Sequence, residues 1–287
     1  AILFDTPENP IQVKGPDARK LLNKVFTRDI SALRVGRAVY GIACYEDGGI
    51  LMDGVIIRLE EELFWYVQAN GEFFNWLRAH AVGMRVTVSE PITQVLQVQG
   101  PNSMLVLDSA CDGGAPDPFS YFDMAQVTMG GQPLMITRTG WSGELGWEFY
   151  TNEQTDNFAI WEHILDAGEK YGLAGAGMEG LSIRRVEAGL FNNTEDIDPS
   201  INPFQASLGR FVDMDKDDFI GKSALESANR EQLLWGVTCD RIAPASGAKV
   251  YYEHQEVGFI TTGCWSPFLA KGIGFVRFKI TNQWEGK

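Results

Sequence analysis

The stretch RTGWSGELGWEFY, from Arg138 to Tyr150, sets Gly140, Gly143 and Gly146 among Trp141, Trp147, Glu144 and Glu148. Glycine lets a chain turn tightly or approach a ligand closely. Tryptophan offers a flat apolar face. An ionised carboxylate accepts hydrogen bonds and donates none. Together these suit a flat heterocycle whose edge is rich in N–H groups. They suit equally well a glycine-rich hairpin whose tryptophans are core and whose glutamates are solvated. The residues alone leave both readings open.

Three further groups could do chemistry. Asp53 lies inside the apolar run GGILMDGVII. A carboxylate there is costly to bury unless it is hydrogen-bonded. Strand alternation places Leu51, Asp53 and Val55 on one face, so Asp53 is either exposed at an edge or poised in a pocket. Arg184, Arg185 and Glu187 share one helical stretch, IRRVEAGL. Arg185 pairs either with a ligand carboxylate or with one of the protein's own. Trp141, Trp147 and Trp265 stand beside glycines or turn residues, which suits an aromatic cage for a quaternary ammonium or sulfonium as well as ordinary core packing.

Charge and motif content narrow the classes. The net charge of −14 argues against a nucleic-acid partner, because phosphate neutralisation needs a basic surface. It also disfavours anionic membranes and acidic proteins, and it tolerates a small cation. No apolar run approaches the ~18–20 residues of a membrane span. Cys44, Cys111, Cys239 and Cys264 form no C-x-x-C pair, so they read as buried thiols of a reducing, cytoplasmic compartment. His80, His163 and His254 are widely separated, which suggests neither a metal site nor a Ser-His-Asp triad. Neither G-x-G-x-x-G between strand and helix nor G-x-x-x-x-G-K-[ST] occurs, so nicotinamide and nucleoside triphosphate sites lose support.

The elements that must position these residues alternate between helix and strand. DARKLLNKVFT carries apolar residues at helical spacing. The stretch from Gly36 to Asn70 reads as three strands with turns at Glu46–Gly49 and Glu60–Glu62. The pattern Gln-Val-x-Gly-Pro-x-x-x-x-x-Leu begins at Gln12 and again at Gln97, which predicts a duplicated strand–turn–helix half. FNNTEDIDPSINP is predicted to be an irregular loop. From Leu233 onward only strands are predicted. The expected organisation is α+β: an α+β half over 1–93, a second over 94–228 and an antiparallel β domain over 229–287.

Seven stretches now matter together: GGILMDGVII, LQVQGP, GWSGELGWEFY, RRVEAGL, INPFQASLGRFV, DFIGKSAL and VGFITTGCWSP…KGIGFV. In this order the chain resembles the glycine cleavage T-protein family of tetrahydrofolate-dependent one-carbon transferases, over nearly its whole length. The resemblance implies three domains around a folate-binding hole, with ferredoxin-like antiparallel sheets, helices and a C-terminal antiparallel β-barrel. It also implies a segment of about forty to fifty residues before Ala1 and a C-terminal domain that is cut short.

Residue by residue, the resemblance makes Asp53 the catalytic aspartate and Glu148 the glutamate that accepts the adjacent N–H groups of the pterin edge. The glycines would let that strand pair approach the ring. Arg185 would lie near the folate tail or in a glutamate network. Trp147 and Asn70 would also contact the cofactor, Asn70 with some departure because the family's Asn-Ala pair reads Ala69-Asn70 here.

Two other departures stand out. Trp141 replaces a tyrosine, and Met52 precedes Asp53 where the family has two acids. The Gly-Trp form and NNTEDIDPSINPF resemble the dimethylsulfoniopropionate demethylase branch. On that reading a small methylated substrate is held by Trp141 and Trp265. The alternatives are an aminomethyltransferase that needs an acidic lipoyl carrier protein, and a non-catalytic folate-binding protein.

Overall fold

A computed structural model describes residues 1–68, 71–281 and 284–286. The chain forms two compact units. The first comprises Ala1–Asn23, Ile30–Gly41 and Gly54–Leu181, and the second Lys24–Asp29, Ile42–Asp53 and Ser182–Lys287.

In chain order the elements begin with β1 (Ile2–Thr6), β2 (Ile11–Lys14), α1 (Ala18–Val25), β3 (Arg37–Cys44), β4 (Ile50–Glu60), β5 (Leu63–Val67), α2 (Phe73–His80) and β6 (Thr87–Ser89). Then come β7 (Val95–Gln99), α3 (Ser103–Ala110), β8 (Met124–Met129), β9 (Gln132–Thr137), β10 (Gly146–Tyr150), α4 (Asn157–Gly168) and β11 (Ala174–Gly175). The chain continues through α5 (Met178–Glu187), α6 (Lys222–Glu226), β12 (Leu234–Cys239), β13 (Lys249–Tyr252), β14 (Gln255–Ser266) and β15 (Lys271–Phe278).

Two sheets make the duplication visible. One has the order β3-β4-β5-β2-β6, the other β11-β1-β7-β10-β9-β8. Four strands correspond in order: β3-β4-β5-β2 in the first sheet and β8-β9-β10-β7 in the second. The recurrent Gln-Val-x-Gly-Pro motif ends β2 and β7, and each is followed by a helix. Its glycines need the left-handed region, with φ of 137° at Gly15 and 126° at Gly100. A side chain at Gly15 would also meet the Arg85 carbonyl at 2.4 Å. The halves differ at one edge. Beside β2 lies β6, whereas beside β7 lies β1 from the start of the chain.

The six-stranded sheet is covered on one face by α3 and α4. Leu96, Val98, Ile136, Trp147 and Phe149 interlock there with Val106, Leu107, Ile160 and Ile164. The Asp156 carboxylate caps α4 by accepting from the Ala159 N–H at 3.0 Å. The opposite face carries Val95, Met135 and Tyr150. These meet Ala38, Ile57 and Val67 of the five-stranded sheet. Two related sheets therefore pack face to face within the first unit.

In the second unit, β12-β15-β14-β13 form an antiparallel sheet. The barrel expected from the resemblance is not closed among the described residues, because β12 and β13 are the two edges and make no ladder with each other. The burial of Cys44 pushes its thiol up to about 12, in keeping with a packing role.

Candidate functional site

Glu148 sits in the middle of β10. Alternation sends Trp147 and Phe149 to the helix side and Glu148 and Tyr150 to the other face. The Glu148 carboxylate is 5% exposed, so it depends on partners. Its Oε2 accepts from Thr139 Oγ1 at 2.6 Å, from the Tyr150 hydroxyl at 2.7 Å and from Thr137 Oγ1 at 3.4 Å. Its Oε1 accepts from Gln97 Nε2 at 3.0 Å. Gln97 lies directly opposite on β7. Burial still raises the Glu148 pKa, against the lowering effect of the hydroxyl donors. The same burial, with Glu148 alongside, raises Tyr150 well above the usual phenol range.

Glu8, just after β1, completes the cluster. Its Oε1 accepts from the same Gln97 amide at 2.7 Å. Burial, then repulsion from Glu148, pushes Glu8 up to about 7. Sequence reasoning missed Glu8 because nothing local marks it. Only the pairing of β1 with β7 brings it to Glu148.

This cluster fits the donor edge of a pterin. Among the described residues, Glu8 Oε2 and Gln97 Oε1 are enclosed acceptors with no hydrogen-bond partner. Buried acceptors are rarely left so, and adjacent N–H donors would satisfy them.

The glycines of this stretch do something other than expected. A Cβ at Gly140 would lie 2.2 Å from Gln99 Nε2, and one at Gly146 would lie 2.1 Å from Gln99 Oε1. The Gln99 amide donates to the Thr139 carbonyl at 3.2 Å and accepts from Ser142 Oγ at 2.6 Å. Gly140 and Gly146 thus make room for a side chain of the protein and not for a cofactor ring. Gly146→Ala is expected to cost about 1–3 kcal/mol through overpacking, seen as a lower urea midpoint. An unchanged midpoint would mean that Gln99 can move aside.

The expectation for Trp147 is also corrected. Its ring is fully buried and stacks on Phe119 at 5.2 Å. Arg138 lies over it at 5.7 Å. It faces the helices, opposite Glu148, and is a core residue. Trp141 is half-buried in the bend that leads to β10. Asn70 lies outside the described residues.

Asp53 belongs to the second unit and is half-buried in β4. Its approach is firmly held. Tyr45 and Gly49 close a turn with an N–H···O bond of 2.9 Å, and Ile50 N–H donates to the Ile201 carbonyl at 3.0 Å. A Cβ on Gly49 would strike the Pro199 carbonyl at 2.1 Å, so the strand start lies flush on the 198–201 loop. As the alternation predicts, Met52 is buried while Leu51, Asp53 and Val55 are half-buried.

Arg185 is wholly buried in the second unit. Its Nη1 is bound to Asp196 Oδ2 and donates to the Leu190 carbonyl at 3.2 Å. Its Nη2 donates to Glu195 Oε2 at 2.9 Å and to Thr262 Oγ1 at 3.1 Å. This corresponds to the network half of the expectation. The guanidinium presents no exposed edge to a folate tail, and that half is corrected. Trp265 is 41% exposed on β14, opposite Gly272 of β15.

The comparisons with known proteins agree with this architecture. Residues 1–216 match the GCVT N-terminal domain family. An aminomethyltransferase of Geobacillus sp. (strain WCH70) is 37% identical over 96% of this chain and 79% of its own length. One from Bacillus subtilis (strain 168) is 33% identical over 95% of this chain and 78% of its own. The crystal structure of glycine cleavage system aminomethyltransferase T from Bartonella henselae superposes with a TM-score of 0.85 at 27% identity, covering 96% of this chain and 78% of that one.

Fold and site together define a folate-dependent one-carbon transferase. The chain belongs to the glycine cleavage T-protein (GCVT) family, whose cofactor is tetrahydrofolate. The relatives named here are aminomethyltransferases, and none supports placing this chain nearest a demethylase branch. Among the described residues, no helix is long and apolar enough to cross a membrane.

Proposed function

We propose that this protein transfers the carbon of an aminomethyl group from a lipoyl carrier protein to tetrahydrofolate, giving methylene-tetrahydrofolate, ammonia and the dihydrolipoyl carrier, as in the glycine cleavage system. The observation that carries the reading is the buried Glu148 carboxylate, with unsatisfied acceptors beside it, in a chain whose relatives are aminomethyltransferases. When bound, tetrahydrofolate supplies the nitrogen that takes the carbon. The chain's part is to bind, orient and exclude water, which can account for much of a rate enhancement by proximity alone. Glu148 holds the pterin edge. Asp53 orients the reacting groups or stabilises charge beside the folate nitrogen. The finer architecture implied by the family, three domains around the folate with a closed C-terminal barrel, goes with this reading, as does a cytoplasmic location.

A second reading keeps methyl transfer from a small methylated onium or amine. Two observations favour it. Trp141 stands where T-proteins carry tyrosine, and the charge of −14 repels an acidic carrier at long range. Trp141 and Trp265 would hold the onium group.

Calorimetric titration with tetrahydrofolate tests the site. Micromolar binding is expected in the wild type and its loss in Glu148→Ala. Product analysis then separates the readings: methylene-tetrahydrofolate formed only with an aminomethylated lipoyl carrier, or 5-methyl-tetrahydrofolate formed from a small donor without one. Asp53→Asn is expected to lower turnover by at least ~100-fold, the scale of a positioned acid–base group, while tetrahydrofolate binding survives. Undiminished turnover in that variant would remove Asp53 from the chemistry.

A further inference from the structure

Oε2 of Glu148 is crowded with donors and Oε1 is not. Thr139 and Tyr150 donate to Oε2 at 2.6 and 2.7 Å, Thr137 stands 3.4 Å away and also shares a hydrogen bond with Thr139, and the Gln97 amide takes one of the two lone pairs of Oε1. The Gln97 amide nitrogen gives its two hydrogens to Glu8 and Glu148. What remains open in the cluster is one lone pair of Glu148 Oε1, Gln97 Oε1 and, while Glu8 is ionised, Glu8 Oε2.

The duplicated half supplies an internal control. Gln12 occupies the motif position that Gln97 occupies, and Trp65 lies opposite it as Glu148 lies opposite Gln97. There the glutamine oxygen accepts from Trp65 Nε1 at 3.2 Å and its amide nitrogen donates to Ser89 Oγ at 3.3 Å, so both ends are satisfied within the protein. In the second half the corresponding oxygen is left without a donor. The difference lies in side chains of the second half and in the backbone partner at this edge, where β1 and its trailing Glu8 stand beside β7 while β6 stands beside β2.

We propose that Glu8 is a ligand-recognition residue, forming with Glu148 and the bridging Gln97 amide a two-carboxylate receptor for a cyclic 2-amino-4-oxo-pyrimidine edge. The inference rests on the reading in which this site takes the pterin of tetrahydrofolate. Glu8 Oε2 takes the 2-amino N–H, and the cluster as a whole, rather than Glu148 alone, sets the affinity.

The test is calorimetric titration of the whole chain. Wild type, Glu8→Gln, Glu148→Gln and the double variant are titrated with tetrahydrofolate, and wild type and Glu8→Gln also with its 2-desamino analogue. Glu8→Gln is expected to weaken tetrahydrofolate about ten- to hundredfold, the scale of a hydrogen bond to a charged group. The double variant should lose less than the product of the two single losses. The analogue should bind wild type and Glu8→Gln equally well. If Glu8→Gln binds tetrahydrofolate like wild type while Glu148→Gln does not, the folate site stands and the assignment of Glu8 falls. If folded wild type does not bind tetrahydrofolate, the folate reading falls and takes the assignment with it. Should Glu8→Gln fail to fold, equal affinity of wild type for tetrahydrofolate and the 2-desamino analogue would overturn the assignment by itself.

Discussion

Asp196→Ala is expected to destabilise the second unit by about 3–5 kcal/mol, the range for breaking one partner out of a buried ion pair. Asp196 is itself wholly buried, like Arg185. Its Oδ1 accepts from Thr261 at 2.6 Å and Thr262 at 2.7 Å, both on β14. Its Oδ2 takes Arg185 and the Asn192 N–H, the latter at 2.9 Å. Its backbone carbonyl accepts from Arg277 Nη2 at 2.6 Å. One carboxylate thus ties α5, the 192–198 loop and β14 together. Removing it takes the wholly buried carboxylate from a buried guanidinium, and Glu195, the other carboxylate bound to it, is half exposed. Coulomb attraction at an exposed oxygen is weak, so Glu195 cannot compensate. A urea melt measures the loss. A change below about 1 kcal/mol would mean that the charge on Asp196 contributes little. Asp196→Asn should fall between the two, because it keeps an acceptor while losing the charge.

That network also shows where sequence reading succeeds and stops. FNNTEDIDPSINP is irregular, as its prolines and amides dictate. The sequence says nothing of where its acids point. In the structure Asp196 is buried, while Asp198 pairs with Arg277 at 2.9 Å. The partners of both lie far along the chain, and no local pattern reveals such pairings. Local signals did give α1, the helix α3 of the repeat and the strand pair flanking Glu46–Gly49, because hydrophobic period and turn chemistry act over a few residues. The repeat at Gln12 and Gln97 announced the duplication. It did not announce that β1 would take the place beside β7 that β6 holds beside β2. Gly140 and Gly146 were legible as tight positions, yet glycine records only that something approaches closely. Here the approaching group is Gln99. Trp147 likewise read as a flat face available to a ligand. One residue of alternation puts it in the core and Glu148 on the opposite side.

Glu8→Gln should stabilise the protein above pH 7 even as it weakens ligand binding. Burial and the nearby Glu148 raise Glu8 to about 7, whereas an unfolded glutamate titrates near 4.5. The native state therefore binds the proton more tightly than the unfolded chain does. Stability from this group is fully present below about 4.5, falls as pH rises, and is lost above about 7. The upper bound on that loss is about 3 kcal/mol. The ionisable groups facing Glu8 are Glu148 and, behind it, Tyr150. Both are acids, and among the described residues no cation offsets the repulsion. Glutamine keeps the side chain's length and removes the charge. The difference in melting temperature between Glu8→Gln and wild type should be near zero at pH 4, grow to pH 7 and stay level to pH 9. Parallel profiles would mean that Glu8 ionises without cost in the native state. A growing difference together with weaker tetrahydrofolate binding would show that the protein holds two repelling carboxylates together because a donor-rich ligand needs both. Strain kept at a site at the expense of stability is what a binding role predicts, and a purely structural role for Glu8 would not favour retaining it.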